Sequence, residues 1–281
     1  MRQFVLTITV LVVAAGTSPC DAQKAHELSG SRTTGIPLVN FSSDDGTGYG
    51  LRVNHFEYDG TSVPYRRKYS AQAFITTGGK WVHRLLVDAP QFWPGQRLEA
   101  ELVYQKEDFA NYYGNLSDEE ADSYSKDQKT FRQAFPEFRI KWIGALRLPW
   151  RVRVGGRLSR NDITPNSSTG SVLADLAPLG ADGGFFAQVH GSLRYDSRDN
   201  YNNATSGVLE ELLVDFGVGG GGDYHGTTLS FSHRHFQPLV PGLVLAHRLN
   251  VDWTLGSLPF YEELDMGGSS TVRGAARARE R

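Results

Sequence analysis

Along most of this 281-residue chain, apolar and polar side chains alternate one for one over runs of about ten residues. Successive side chains of a strand leave opposite faces, so period two is a β signal. In 243–255, Leu243, Leu245, Leu249, Val251, Trp253 and Leu255 share one face, and Arg248, Asn250, Asp252 and Thr254 share the other. In 98–105, Leu98, Ala100, Leu102 and Tyr104 oppose Glu99, Glu101 and Gln105. In 138–146, Phe138, Ile140, Trp142 and Leu146 oppose Arg139 and Lys141; in 151–160, Val152, Val154 and Leu158 oppose Arg151, Arg153 and Arg157. In 185–195, Phe185, Ala187, Val189, Leu193 and Tyr195 oppose Gln188, His190, Ser192 and Arg194. The chain is all-β.

Alternation alone fits a soluble sandwich as well as a membrane barrel, because both carry one apolar face. Length separates them. Soluble strands average five or six residues, whereas a tilted strand needs roughly 9–11 to cross a bilayer. The pattern predicts eleven strands, at about 36–43, 47–58, 69–77, 81–88, 97–106, 136–146, 150–160, 184–196, 207–216, 225–236 and 242–255. Their connections alternate in character. Segments 107–135, 161–183, 217–224 and the stretch after 255 are mostly long, polar or Gly-rich; Pro149-Trp150, Gln237 to Gly242 and Asp196 to Ser206 are mostly shorter. Long outer loops and short periplasmic turns are the habit of outer-membrane barrels. The expected fold is therefore an antiparallel transmembrane β-barrel whose polar face lines the lumen.

Charge is nearly balanced, 29 basic against 31 acidic residues, which argues against a nucleic-acid partner. Residues 1–22 read as a secretory signal peptide: Arg2 supplies a positive start, Phe4 to Ala15 an apolar run, and Ala22 a residue before the cut. Acylation of Cys20 is the alternative processing, and Pro19 before it fits that poorly. Cleavage at Ala22 leaves a chain without cysteine, so no disulfide would hold it together. The domain reading is 1–22 signal peptide, 23–35 short linker and 36–281 barrel domain.

Three segments carry a family resemblance. Ile36-Pro37-Leu38-Val39-Asn40-Phe41, then Asp44-Asp45-Gly46-Thr47-Gly48-Tyr49-Gly50, looks like a barrel entry. Tyr195-Asp196-Ser197-Arg198-Asp199-Asn200, followed by Thr205-Ser206-Gly207, forms an Asp-x-Arg-Asp turn in which Asp and Asn bond the backbone and Gly207 allows re-entry. Gly267-Gly268, a polar spacer and Val272-Arg273-Gly274 follow the last alternating strand. In this order and spacing they resemble the BamA/TamA family of bacterial outer-membrane assembly barrels. The resemblance implies a sixteen-strand barrel of which this chain carries eleven strands, so it is expected to be incomplete at its C-terminus. It implies too that Arg273 reaches into the lumen and pairs with an acidic wall residue. Asp252, Glu99 and Glu101 are the lumen-facing candidates, and nothing in the sequence selects among them. A solvated Arg273 is the plainer alternative. The sequence departs from the family in having Ala275 where an aromatic residue usually follows, and in having no periplasmic modules between Gln23 and Ile36.

Other candidates are weaker. His233 and His235 share a strand face with His225 nearby, but no Cys or well-spaced carboxylate joins them, so they are read as rim histidines rather than metal ligands. Gly219 to Gly222 lacks the Gly-Lys-Ser/Thr of a phosphate loop, and the serines lack a nucleophile elbow. Asp118, Glu119, Glu120 and Asp122 are read as a solvated acidic loop. No catalytic constellation, cofactor or metal is expected. By its resemblance the chain should insert or move polypeptides or lipids at the outer membrane, with membrane lipids and nascent chains as partners. A passive pore with a charged lumen is the alternative, and a non-functional barrel fragment the second.

Overall fold

The computed structural model describes residues 3–14, 29–42, 45–114, 116–201, 203–220 and 223–264, the first of these as a backbone course only. One antiparallel sheet of twelve strands dominates it. The strands are β1 (Gln3–Ala14), β2 (Ser29–Ser42), β3 (Gly46–Asp59), β4 (Arg67–Thr76), β5 (Trp81–Trp93), β6 (Gln96–Asn111), β7 (Thr130–Arg147), β8 (Trp150–Pro165), β9 (Gly184–Asp196), β10 (Gly207–Gly219), β11 (Tyr224–Val240) and β12 (Leu243–Gly256). From β2 to β12 each strand pairs with its sequence neighbours, and β1 returns to lie along β12. Among the described residues no ladder joins β1 to β2, and the sheet they form is open. The eleven strands expected from alternation are all present. Among the described residues no helix is long and apolar enough to cross a membrane.

The amphipathicity is inverted, which removes the sandwich alternative. Register places Leu102, Phe138, Leu158 and Ala187 in one cross-sheet row, and Ala100, Ile140, Gly156, Val189 and Phe216 in the next. These rows are on the exposed side: Val189 is 60% exposed and Phe138, Ile140, Leu158 and Phe216 are each exposed by more than a third. The other face buries polar and charged residues, among them Asp88, Glu137, Asn54, Ser159 and Ser192. A soluble protein rarely leaves so continuous an apolar band in water, whereas lipid requires it. The two longest connections, 112–129 and 166–183, lie on one side, where the others have three or four residues; on the other side three have two residues each (94–95, 148–149 and 241–242), and 60–66 and 197–206 are longer. The long side is outer and the short side periplasmic.

Two differences from the sequence reading have a physical cause. Several strands run past the alternating core: β6 continues to Asn111 and β7 starts at Thr130, so the connection is 112–129 rather than 107–135. Likewise β8 continues to Pro165. Beyond the bilayer the hairpins meet loops on one side and water on the other, so the strict alternation that reveals a lipid-facing strand stops. The ladder does not, because backbone pairing needs no particular side chain. The first barrel strand begins at Ser29 instead of Ile36 for the same reason, taking in part of the expected linker. The second difference is β1, which occupies the run expected as the apolar core of a leader. Its Val, Ile and Thr content suits a strand as well as a leader, and the edge of β12 offers it a row of peptide groups.

The outer loops are not extended. Three short helices lie in them: α1 (Asp118–Ser123), α2 (Lys126–Lys129) and α3 (Val172–Leu176). The acidic run is the start of α1, and Ser117 and Glu120 form its capping box. Two residues of α3, Val172 and Leu173, enter an apolar cluster with Tyr112, Phe131 and Phe260. The core of this protein therefore sits at the outer end of the polar face, made by loops rather than by the membrane-facing wall.

The lipid band gives a direct test. Val189→Arg, at the middle of the band, should cost about 2–4 kcal/mol of barrel stability, measured by urea unfolding in lipid vesicles. A near-neutral result would place that row outside the hydrocarbon.

Candidate functional site

The segment after β12 is folded over the polar face, and two sets of contacts hold it. The first is apolar. Phe260 is buried in the loop cluster, meeting Tyr112 at 5.1 Å and Phe131 at 5.3 Å edge-on. Its backbone N–H donates to the Leu179 carbonyl at 2.9 Å, tying it to the loop between β8 and β9. Leu258 packs with Phe186 and Tyr224. The close approach needs a glycine: Gly180 has φ +83°, and a Cβ there would lie 2.6 Å from Pro259.

The second set is ionic. A single 3-10 turn, Phe260–Glu262, carries the Glu262 carboxylate to the wall, where it accepts from Arg157 Nη2 on β8. Arg157 is a hub. Its Nη1 donates to Glu137 on β7 at 3.2 Å, its Nε to Gln188 on β9 at 2.7 Å, and its guanidinium lies over the Phe186 ring at 5.2 Å. Glu137 also accepts from Arg139 Nε, so the buried carboxylate has two cationic partners. Burial raises the Glu262 carboxyl above the ordinary carboxylate range, and the Arg157 guanidinium opposes that shift. A planar fork that donates from three nitrogens to three elements suits arginine and no other side chain.

Of the acids the sequence offered as loop partners, Glu99 is taken by Lys141 at 2.6 Å and Arg97 at 2.8 Å. Glu101 faces Arg84 at 2.9 Å and Arg139 at 3.7 Å. Among the described residues Asp252 makes no ion pair; its register partner on β11 is Ser230. Gly267, Gly268, Val272, Arg273 and Gly274 lie outside the described residues. The anchor that the structure does show has the opposite polarity: the loop brings the acid, and the wall brings the arginine. Sequence reasoning placed Arg157 on the polar face and stopped there, and it did not single out Glu137 or Glu262. The available signal was an arginine in an alternating strand matched by an acid just beyond the last strand.

The periplasmic turn motif is built as its chemistry suggests. Asp196 ends β9 and receives Arg198 Nε at 2.8 Å and Nη2 at 2.9 Å, a bidentate pair. Asp199 accepts from the Thr205 hydroxyl, from Thr205 N at 2.9 Å and from Ser206 N at 3.2 Å. These bonds, the Thr205 hydroxyl foremost, hold the Asp199 carboxyl down to about 2. Gly207 opens β10 at φ +98°, and a Cβ there would lie 2.4 Å from the Ser197 carbonyl oxygen, so glycine is required.

With this geometry in place, comparison with known proteins is informative. Residues 46–277 match the Omp85 superfamily domain. Among solved structures, BamA from Haemophilus ducreyi lacking POTRA domains 1–3 superposes with a TM-score of 0.61 at 15% identity. That match covers 89% of this chain and 47% of the other, so this chain spans about half the length of that BamA chain. OmpT of Vibrio cholerae, in its trimer form, aligns over 92% of this chain and 99% of its own at 8% identity, with a TM-score of 0.40. No curated protein matches the sequence. The BamA likeness supports the fold.

Two measurements test the site. Arg157→Ala leaves Glu262 without a cation and takes one of two from the buried Glu137, which should cost about 3–5 kcal/mol in urea unfolding. Glu262→Gln leaves the wall pair intact and should cost about 1–3 kcal/mol, yet expose the segment from 257 onward to protease. Equal costs, or an unchanged cleavage pattern in the Gln variant, would remove Arg157 as the loop anchor. For the turn, Asp199 is lowered on folding, so its contribution is complete above the ordinary carboxylate value of roughly 3.9. It is lost as pH falls toward about 2. The amide resonances of Thr205 and Ser206 should follow that titration; a midpoint near 4 would mean that the carboxylate does not hold the turn.

Proposed function

The chain belongs to the Omp85 superfamily, and on that premise we propose that it serves assembly and translocation, inserting or moving polypeptides or lipids at the outer membrane. It is an outer-membrane β-barrel protein with an apolar belt for lipid and a charged interior. In this reading residues 1–22 act as the export leader, and its removal takes β1 from the sheet and frees the β12 edge for pairing.

The observation that carries the proposal is the inward-folded segment clamped at Arg157. A passive pore gains from an unobstructed lumen lined by charge. Here the loop segment occupies the polar face, and two further loops are packed onto it through Phe260. Such a segment is suited to bracing the wall while a sheet edge is used for pairing. Sheet edges recruit extended chains through main-chain hydrogen bonds, a means of handling polypeptides that needs no catalytic residue.

Planar-bilayer recording on the purified protein, combined with depletion in the source bacterium, tests this reading. The expected outcome is small, fluctuating conductance, with a fall in other outer-membrane proteins or lipids upon depletion. Large steady conductance with an unaltered outer membrane would favour the pore instead.

A further inference from the structure

Three histidines meet on the outward face of the barrel near its periplasmic rim, and a carboxylate stands beside them. His233 and His235 lie two residues apart on β11, and His247 is the register partner of His235 on β12. Their ring centroids are 6.3 Å (His233–His235), 5.5 Å (His233–His247) and 5.2 Å (His235–His247) apart. One ring nitrogen from each falls within 4.8 Å of the others. On the far side of His233, Nδ1 stands 3.2 Å from Glu210 Oε1 on β10. Sequence alone showed only the first pair; antiparallel register supplies His247, and the next ladder supplies Glu210.

Position in the membrane sharpens the point. Register puts Trp150, Tyr195, Glu210 and His233 in one cross-sheet row, with Trp150 and Tyr195 in contact at 5.0 Å. Aromatic girdles mark the headgroup level of such barrels. The cluster is therefore at the interface, with the β11–β12 hairpin running on past it to the turn at 241–242. The three rings are half-buried and meet tilted or edge-on, so their nitrogens converge without stacking.

We propose that His233, His235 and His247 form a binding site for a divalent transition-metal ion of the zinc class, with Glu210 as the positioning residue. Neutral imidazole is the ligand such ions favour, and three protein ligands with one open corner is a common zinc arrangement. Zn–N bonds of about 2.0–2.1 Å set tetrahedral nitrogens about 3.3–3.4 Å apart. Closing from 4.8 Å to that spacing takes side-chain rotation and no movement of the ladder. Glu210 accepts the Nδ1–H of His233 and leaves Nε2 free for the metal, the usual carboxylate support of a ligating histidine. Water or the headgroup phosphate of a lipid would fill the fourth position. The bound ion would staple β11 to β12 at the rim, on the strands that precede the inward-folded segment.

The test uses the full chain without a polyhistidine tag, folded in detergent, stripped with chelator and titrated with Zn2+ alone by calorimetry. One equivalent should bind saturably. His247→Ala should abolish that binding, and Glu210→Gln should weaken it about tenfold. His225→Ala should leave it unchanged, because His225 is exposed about 26 Å away along β11. Absence of saturable binding, or binding untouched by His247→Ala, overturns the proposal. Should the alanine variant fail to fold, the visible spectrum of the wild-type Co2+ complex decides. Intense tetrahedral bands support the site, and a weak octahedral spectrum overturns it.

Discussion

A peptide group in hydrocarbon finds no partner except another peptide group, and that constraint organises the whole molecule. It forces the chain into one continuous ladder, strand beside strand in sequence order from β2 to β12. It also dictates which face must be apolar. With the backbone satisfied by pairing, the outward side chains have only to match lipid, so rows such as Ala100–Ile140–Gly156–Val189–Phe216 are left exposed. The polar residues that a soluble protein would display are turned inward, where they must be neutralised by one another.

That inward neutralisation explains the form of the loop anchor. Wall carboxylates near the middle of the sheet are already paired with wall cations: Glu99 with Lys141 and Arg97, Glu101 with Arg84, Glu137 with Arg139. A cation arriving on a loop would compete with these for its acid. Arg157 has donors to spare after reaching Glu137 and Gln188, and Glu262 takes its third nitrogen, Nη2. The ionic hub is shielded because Phe186 covers the guanidinium and Phe260 seals the loops above it. Burial makes the pairing selective: a carboxylate at Glu262 is costly to bury there unless a guanidinium meets it.

How much of this was legible in the sequence depends on what each feature obeys. Strand existence, order and orientation were readable, because lipid imposes period two on every crossing strand and the two longest connections fall on one side. Strand ends were not. The pairing Asn111↔Thr130 continues above the bilayer, where no solvent boundary writes a pattern into the side chains. The turn at Asp196–Gly207 was legible because its hydrogen bonds are local, between residues a few positions apart. Arg157 and Glu262 are 105 positions apart, and their meeting depends on sheet curvature and loop packing that no periodicity encodes. The same limit hid His247 from His233 and His235. Register decides that neighbour, and register emerges from the ladder.

Sheet order also bears on how robust the anchor is. In the series β1-β12-β11-β10-β9-β8-β7-β6-β5-β4-β3-β2, the hub strands β7, β8 and β9 stand in the middle, away from both edges. An edge in hydrocarbon must be met by another strand. The edge of β12 is met by β1, while β2 pairs only with β3 among the described residues. Whatever strand meets β2, the contacts that hold the inward segment do not involve it. Arg157 draws on Glu137 and Gln188 from the two strands flanking its own, so its guanidinium keeps its orientation if an outer strand shifts or exchanges partner. The loop is thus fixed from the centre of the sheet, by strands whose own neighbours are all in place, and neither edge strand contributes to that fixing.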